Sequence, residues 1–172
     1  LVNKYKYTNM ISYTTRPRRN NERNGVEYWF IGQNEMNKLL NENKIIDYRE
    51  YKRIDGTWGY GHTIYNVKEN KDYIAIADLK GAKKFKEIYG NQCVIIYIDS
   101  SDVYRTKRAS KRGDDLKEWV RRVKADDIDF NKVEINDVVD CIIKNETVSV
   151  DDVAYKVDNY ISIKRKINEK HS

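Results

Sequence analysis

Residues 12–30 read Ser-Tyr-Thr-Thr-Arg-Pro-Arg-Arg-Asn-Asn-Glu-Arg-Asn-Gly-Val-Glu-Tyr-Trp-Phe. The stretch sets Arg16, Arg19, Glu22 and Tyr28 at fixed offsets around Pro17 and Gly25. Residues of these types can grip a phosphate. A guanidinium is planar, permanently charged and able to meet two phosphate oxygens at once. A tyrosine hydroxyl donates a further bond. Glu22 can hold an arginine in its working rotamer. By composition alone the stretch also fits a solvated charged loop, which is what most Arg and Glu runs are.

Order and spacing decide between the two. The segment closely resembles the GMP-binding signature of guanylate kinases, Ser-x-Thr-Thr-Arg-x-x-Arg-x-x-Glu-x-x-Gly-x-Asp/Glu-Tyr-x-Phe. Ser12, Thr14, Thr15, Arg16, Arg19, Glu22, Gly25, Glu27, Tyr28 and Phe30 match it without a gap. The likeness continues more weakly to about residue 163. It implies an α/β fold: a P-loop-kinase-type parallel sheet core, an inserted GMP-binding subdomain at about 13–66 and a helical lid at about 105–131. All of this would lie in one domain over 1–172.

Bulk properties agree with that size and ligand. A chain of 172 residues can bury a core of its own. Lys and Arg number 33 against 27 Asp and Glu, a net +6 that suits an anionic ligand. The basic residues are scattered lysines, and no block is dense enough to argue for nucleic acid. Cys93 and Cys141 each lie in an apolar run and read as buried strand thiols of a reducing cytoplasm. No apolar run is long enough to cross a membrane. The sequence sets no oligomeric state.

Along the chain, periodicity and punctuation give a strand at Thr8–Tyr13, a strand at Val26–Ile31, a helix at Asn34–Asn43 and a strand at Lys44–Tyr51. A turn or hairpin follows at Ile54–Gly61, then a short helix at Thr63–Asn70. The apolar runs Tyr73–Ala77, Cys93–Ile98 and Val138–Ile143 read as buried parallel strands. Helices are expected at Leu79–Tyr89, stopped by Gly90, and at Asp102–Lys111 and Asp114–Asp127, which meet at Gly113. A last one spans Val150–Ile163, capped by Ser149.

The resemblance assigns further residues. A guanine reader needs a carboxylate to accept the adjacent N1–H and N2–H donors. Asp47 takes that place, one methylene shorter than the family's glutamate; the bland alternative is a strand-end Asp facing water. The family's Tyr-Gly-Thr/Ser, whose tyrosine reaches the GMP phosphate and whose hydroxyl reaches the base, becomes Tyr60-Gly61-His62-Thr63. Thr63 either replaces the hydroxyl or the contact is lost, and His62 reads as an exposed loop histidine. The Asp-x-Asp-x-x-Gly motif becomes Ile76-Ala77-Asp78-Leu79-Lys80-Gly81. Asp78, at a strand's carboxyl end where ligands gather, would lie near the guanine or cap a helix, or both. Ser12 would assist at the base.

The lid would bring Arg108, Arg112 and Arg122 to the transferring phosphates, as positioned arginines do in phosphoryl transfer. A salt-bridged surface helix is the alternative. The resemblance implies ATP and Mg2+ as co-substrate and metal, with no metal ligand among residues 1–172. The G-x-x-x-x-G-K-[ST] loop that cradles ATP does not occur in the sequence, which begins at Leu1. The expectation is that such a segment precedes Leu1 in the intact protein. The implied activity is phosphorylation of GMP, or dGMP, to the diphosphate. The competing reading is a catalytically inactive module that binds a phosphorylated or acidic protein partner through the same arginines.

Overall fold

A computed structural model describes residues 1–53, 56–63, 71–130, 132–146 and 149–169. Its contacts fall into two compact units, residues 1–88 and 89–172.

In the first unit, α1 (Val2–Tyr5) leads into β1 (Thr8–Asn9) and β2 (Tyr13–Thr14). The strand expected over Thr8–Tyr13 is therefore two. β1 pairs in parallel with β6 (Tyr73–Ile74), whereas β2 lies between β3 (Trp29–Phe30) and β5 (Gly56–Gly61). The chain leaves one sheet for another, and residues 10–12 make the crossing.

The second sheet has the order β3-β2-β5-β4. β4 (Arg49–Arg53) and β5 form an antiparallel hairpin, with Arg49 opposite Tyr60 and Tyr51 opposite Trp58. Thr14 is wholly buried, and it donates to the Gly59 carbonyl at 3.0 Å. Thr15 Oγ1 accepts the Gly59 N–H at 2.8 Å. This double lock fixes the start of the basic loop against β5. A Cβ at Gly59 would lie 2.8 Å from the Tyr48 ring, so only glycine lets that ring cross the strand.

The strand expected from Lys44 starts only at Arg49. Asn43 has φ 52, and the lead-in is held by the Ile45–Thr63 bridge and by the Ile46 N–H on the His62 carbonyl. α2 (Gln33–Asn41) turns Met36 inward, fully buried. α3 (Leu79–Tyr89) spans the expected residues, and Leu79 and Phe85 join Tyr7 and Met10 among the buried side chains. The expected helix over 63–70 lies outside the described residues beyond Thr63.

In the second unit, β7 (Ile96–Asp99) and β8 (Cys141–Lys144) pair in parallel. Between them run α4 (Asp102–Arg112), α5 (Leu116–Asp129) and α6 (Lys132–Val138). Gly113 ends α4 at φ 76, in the left-handed region that favours glycine. α6 was not legible in the sequence. α7 (Val150–Glu169) runs six residues beyond the expected end. Ser149 caps it: its Oγ accepts the Asp152 N–H at 3.1 Å, and Asp152 accepts the Ser149 N–H at 3.1 Å. The pair is a reciprocal capping box.

The three apolar runs form shorter and less buried strands than expected. Ile76 is 90% exposed, and Ile98 and Ile142 are exposed too. Both cysteines are free and half-buried, Cys93 lying before β7 rather than in it. Among the described residues no helix is long and apolar enough to cross a membrane.

Candidate functional site

The basic loop leaves β2 at Thr15 and returns at β3. Gly25 closes it with φ +75, and a Cβ there would also strike the Trp29 ring at 2.7 Å. Arg16 is 6% exposed. Its guanidinium makes a forked pair with Glu22, Nη2 to Oε1 at 2.7 Å and Nη1 to Oε2 at 3.0 Å. It lies 5.4 Å from the Tyr28 ring centre and 5.5 Å from that of Phe30, within cation–π range of both rings. Nη1 also donates to the Pro17 carbonyl at 2.8 Å. Glu22 Oε2 accepts the backbone N–H of Arg19 at 2.9 Å, which turns the loop.

The charges tune each other. The Arg16 hydrogen bond holds the Glu22 carboxyl below its usual range. Glu22 raises Arg16 in turn, with Tyr60 adding to it. Burial, then neighbouring Tyr60, pushes the Tyr28 hydroxyl up, while Arg16 and Arg19 pull it down.

Tyr28 meets Tyr60 edge-on at 5.8 Å, and Tyr60 meets Tyr51 at 5.6 Å. So Arg16, Glu22, Tyr28 and Tyr60 gather in one cluster with Arg19 in its field. Glu22 holds an arginine, as expected, and that arginine is Arg16. Arg16 is committed to Glu22, and Arg19 is the exposed arginine of the two. Ser12 contributes its carbonyl, which accepts the Trp29 N–H at 2.9 Å.

A second polar cluster follows along the same unit. Asp47 and His62 are buried, at 8% and 5% exposure. Asp47 Oδ1 accepts the His62 backbone N–H at 2.6 Å. Asp47 Oδ2 lies 2.8 Å from His62 Nδ1. His62 packs edge-on against Phe85, 5.4 Å between ring centres. The exposed loop histidine read from the sequence is thus a buried partner of Asp47. Its apolar wall is Phe85, a residue far along the chain. Thr63 is buried beside it.

Asp78 caps a helix, one of the two roles expected of it. Oδ1 accepts the Gly81 N–H at 2.7 Å and caps α3, and Oδ2 accepts Arg49 Nε at 2.7 Å. Tyr51 Oη stands 3.5 Å from the same Oδ2, so the tyrosine chain links the arginine loop to Asp78. A depression of about 440 Å3 opens beside this end, lined by Asp47, Tyr48, Arg49 and by Lys80, Lys83 and Lys84 of α3. Arg49 and Tyr51 were missed in the sequence, although the two-residue period of Arg49-Glu50-Tyr51 on β4 puts both on one face.

In the second unit Arg108 is occupied. It donates to Ser100 Oγ at 2.6 Å and to the Asn145 carbonyl at 3.1 Å, tying α4 to the ends of β7 and β8. Arg105 pairs with Asp102 and, at 3.5 Å, with Asp126 of α5. Arg112 ends α4 and Arg122 lies on α5; their side chains fall outside the described residues. Among the described residues no group of three or more His, Cys, Asp or Glu is placed to hold a metal. Ile76, where the resemblance has its first aspartate, offers no ligand.

The fold is α/β, and its first unit carries a compact arginine–tyrosine cluster followed by two held carboxylates. Comparison narrows it. The family model for guanylate kinase matches residues 2–164, and the chain belongs to the guanylate kinase family. A guanylate kinase of Porphyromonas gingivalis is 31% identical over 115 residues, 65% of this chain and 61% of that protein. One of Malacoplasma penetrans is 31% identical over 121 residues, 67% of this chain and 60% of that protein. The chain thus spans about three fifths of the length of these two relatives. The crystal structure of guanylate kinase from Anaplasma phagocytophilum shares the fold, with a TM-score of 0.63 and 23% identity, over 94% of this chain and 79% of that one.

Proposed function

We propose that this chain binds GMP and, in the full-length protein, phosphorylates GMP or dGMP to the diphosphate with ATP and Mg2+. The observation that carries the reading is the Arg16–Glu22 fork under Tyr28, with Arg19 at its rim and Tyr60 against it. Arg19 supplies the forked charge for the GMP phosphate, and the Tyr28 and Tyr60 hydroxyls add donors. Arg16 holds the loop and contributes field. Asp47 and Asp78 face the base, with Thr63 and Ser12 beside them.

Arg108 fixes the lid helix to its unit. Arg112 and Arg122 are assigned to the transferring phosphates by sequence pattern. ATP carries the phosphoryl group, with Mg2+ as its metal. The domain is a single one in this reading, with an insert at about 13–66 and a lid at about 105–131.

Exposed Ile76 and occupied Arg108 favour the second reading, an inactive module that captures a phosphorylated or acidic protein. A coupled assay decides. The full-length gene product with ATP and Mg2+ should form GDP from GMP and little product from AMP. Binding of GMP without turnover selects the module instead.

A further inference from the structure

Both oxygens of Asp78 already hold protein donors. Oδ1 accepts the Gly81 N–H at 2.7 Å. Oδ2 accepts Arg49 Nε at 2.7 Å, with Tyr51 Oη 3.5 Å away. The carboxylate is 12% exposed. What it does in this arrangement is fix Arg49. A second bond, from Arg49 Nη1 to the Tyr48 carbonyl at 3.0 Å, pins the same guanidinium. A planar group held at Nε and Nη1 has its orientation set before any ligand arrives. Yet the Arg49 side chain is 30% exposed, and its Nη2 takes no partner among the described residues.

β4 decides which face the guanidinium serves. Arg49 lies opposite Tyr60 in the hairpin, and opposed residues of an antiparallel pair share a face. Tyr51, two residues on, shares it too. Its ring meets Tyr60 at 5.6 Å, and its hydroxyl converges with Arg49 on one oxygen of Asp78. Tyr60 meets Tyr28, whose ring lies beside Arg16. The tyrosines thus form a row with the arginine loop at one end and Arg49 at the other. A nucleotide whose phosphate sits at the loop carries its base toward Arg49.

A guanidinium has donors and no acceptor. Guanine presents the acceptors O6 and N7 on one edge, whereas adenine sets an amino donor in place of O6. We infer that Arg49 is a specificity-determining residue: it donates to the 6-oxo group of a purine, and Asp78 acts at the base by holding it. The inference rests on the GMP-binding reading. Guanine is welcomed at this end, and the amino group of adenine meets donor against donor.

The test measures GMP, 6-thio-GMP and AMP by calorimetry on the wild-type protein and on Arg49→Met. 6-Thio-GMP exchanges O6 for sulfur, a poorer acceptor, and keeps the N1–H and 2-amino donors that a carboxylate would read. Methionine keeps an unbranched stem and removes every donor. Wild type should favour GMP over 6-thio-GMP by at least about fivefold. In Arg49→Met that preference should shrink to within about twofold of unity, and AMP should bind no more weakly than to wild type.

The three nucleotides carry the same phosphate, so an Arg49 that served the phosphate or only the fold would weaken all of them together. That result, or a wild-type preference left intact in Arg49→Met, overturns the inference while GMP binding stands. The wild-type comparison needs no variant to fold: equal affinity for GMP and 6-thio-GMP there overturns it as well. If the wild-type protein binds none of the three, the GMP reading falls and the inference with it.

Discussion

Replacing Glu22 by Gln tests whether the clamp is built from the inside out. Glu22 receives three donors: both Nη groups of Arg16 and the Arg19 backbone N–H. Gln keeps one carbonyl acceptor and turns an NH2 toward the others, so a buried arginine faces a donor. Side-chain exposures of 6% for Arg16 and 14% for Glu22 leave little water to compensate. A hydrogen bond to a charged group contributes about 1.5–3 kcal/mol, and breaking a buried pair costs about 3–5 kcal/mol. With one bond retained, the loss should be about 2–4 kcal/mol.

Urea unfolding followed by tryptophan fluorescence measures it, since Trp29 closes the same loop over Gly25. The pH dependence gives a second signature. Arg16 depresses the folded pKa of Glu22 below its usual 4.5. Its contribution is therefore complete above the unfolded pKa and is lost as pH falls through the folded one. Glu22→Gln should remove that part of the acid sensitivity. A variant within 0.5 kcal/mol of wild type (about the range of a neutral surface change) would refute the reasoning.

Arg19→Lys keeps the charge and loses the fork, so GMP affinity measured by calorimetry should drop at least tenfold, from about 1.5–3 kcal/mol of charged hydrogen bonding. Gly81→Ala should favour the helix by up to about 1 kcal/mol yet push Asp47 back, weakening GMP several-fold and AMP hardly at all. Equal affinity for GMP in that variant would separate Asp47 from the base. Ser149→Ala should cost about 0.5–2 kcal/mol of stability by removing the α7 cap, with nucleotide binding unchanged in the same titration.

The arginine loop was legible because its chemistry is local. Arg16, Glu22 and Tyr28 meet within one turn and return of the chain, and Gly25 is required by a positive φ. α3 was legible because its apolar positions and Gly90 punctuate it. What depended on distant partners was not. His62 looked exposed because Phe85, 23 positions further on, is what buries it. Thr8–Tyr13 looked like one strand because nothing local says that its two ends serve different sheets. The apolar runs looked uniformly buried because hydropathy marks a strand without saying which of its faces is covered. α6 escaped because seven residues with two valines and an isoleucine carry a weak helical signal.

A crystal structure with GMP bound tests the central claim most directly. The GMP phosphate should lie within about 2.7–3.2 Å of Arg19 nitrogens and the Tyr28 and Tyr60 hydroxyls, with the guanine edge on Asp47. A phosphate held elsewhere on the chain, with the Arg16–Glu22 fork and Arg19 untouched, would contradict the account.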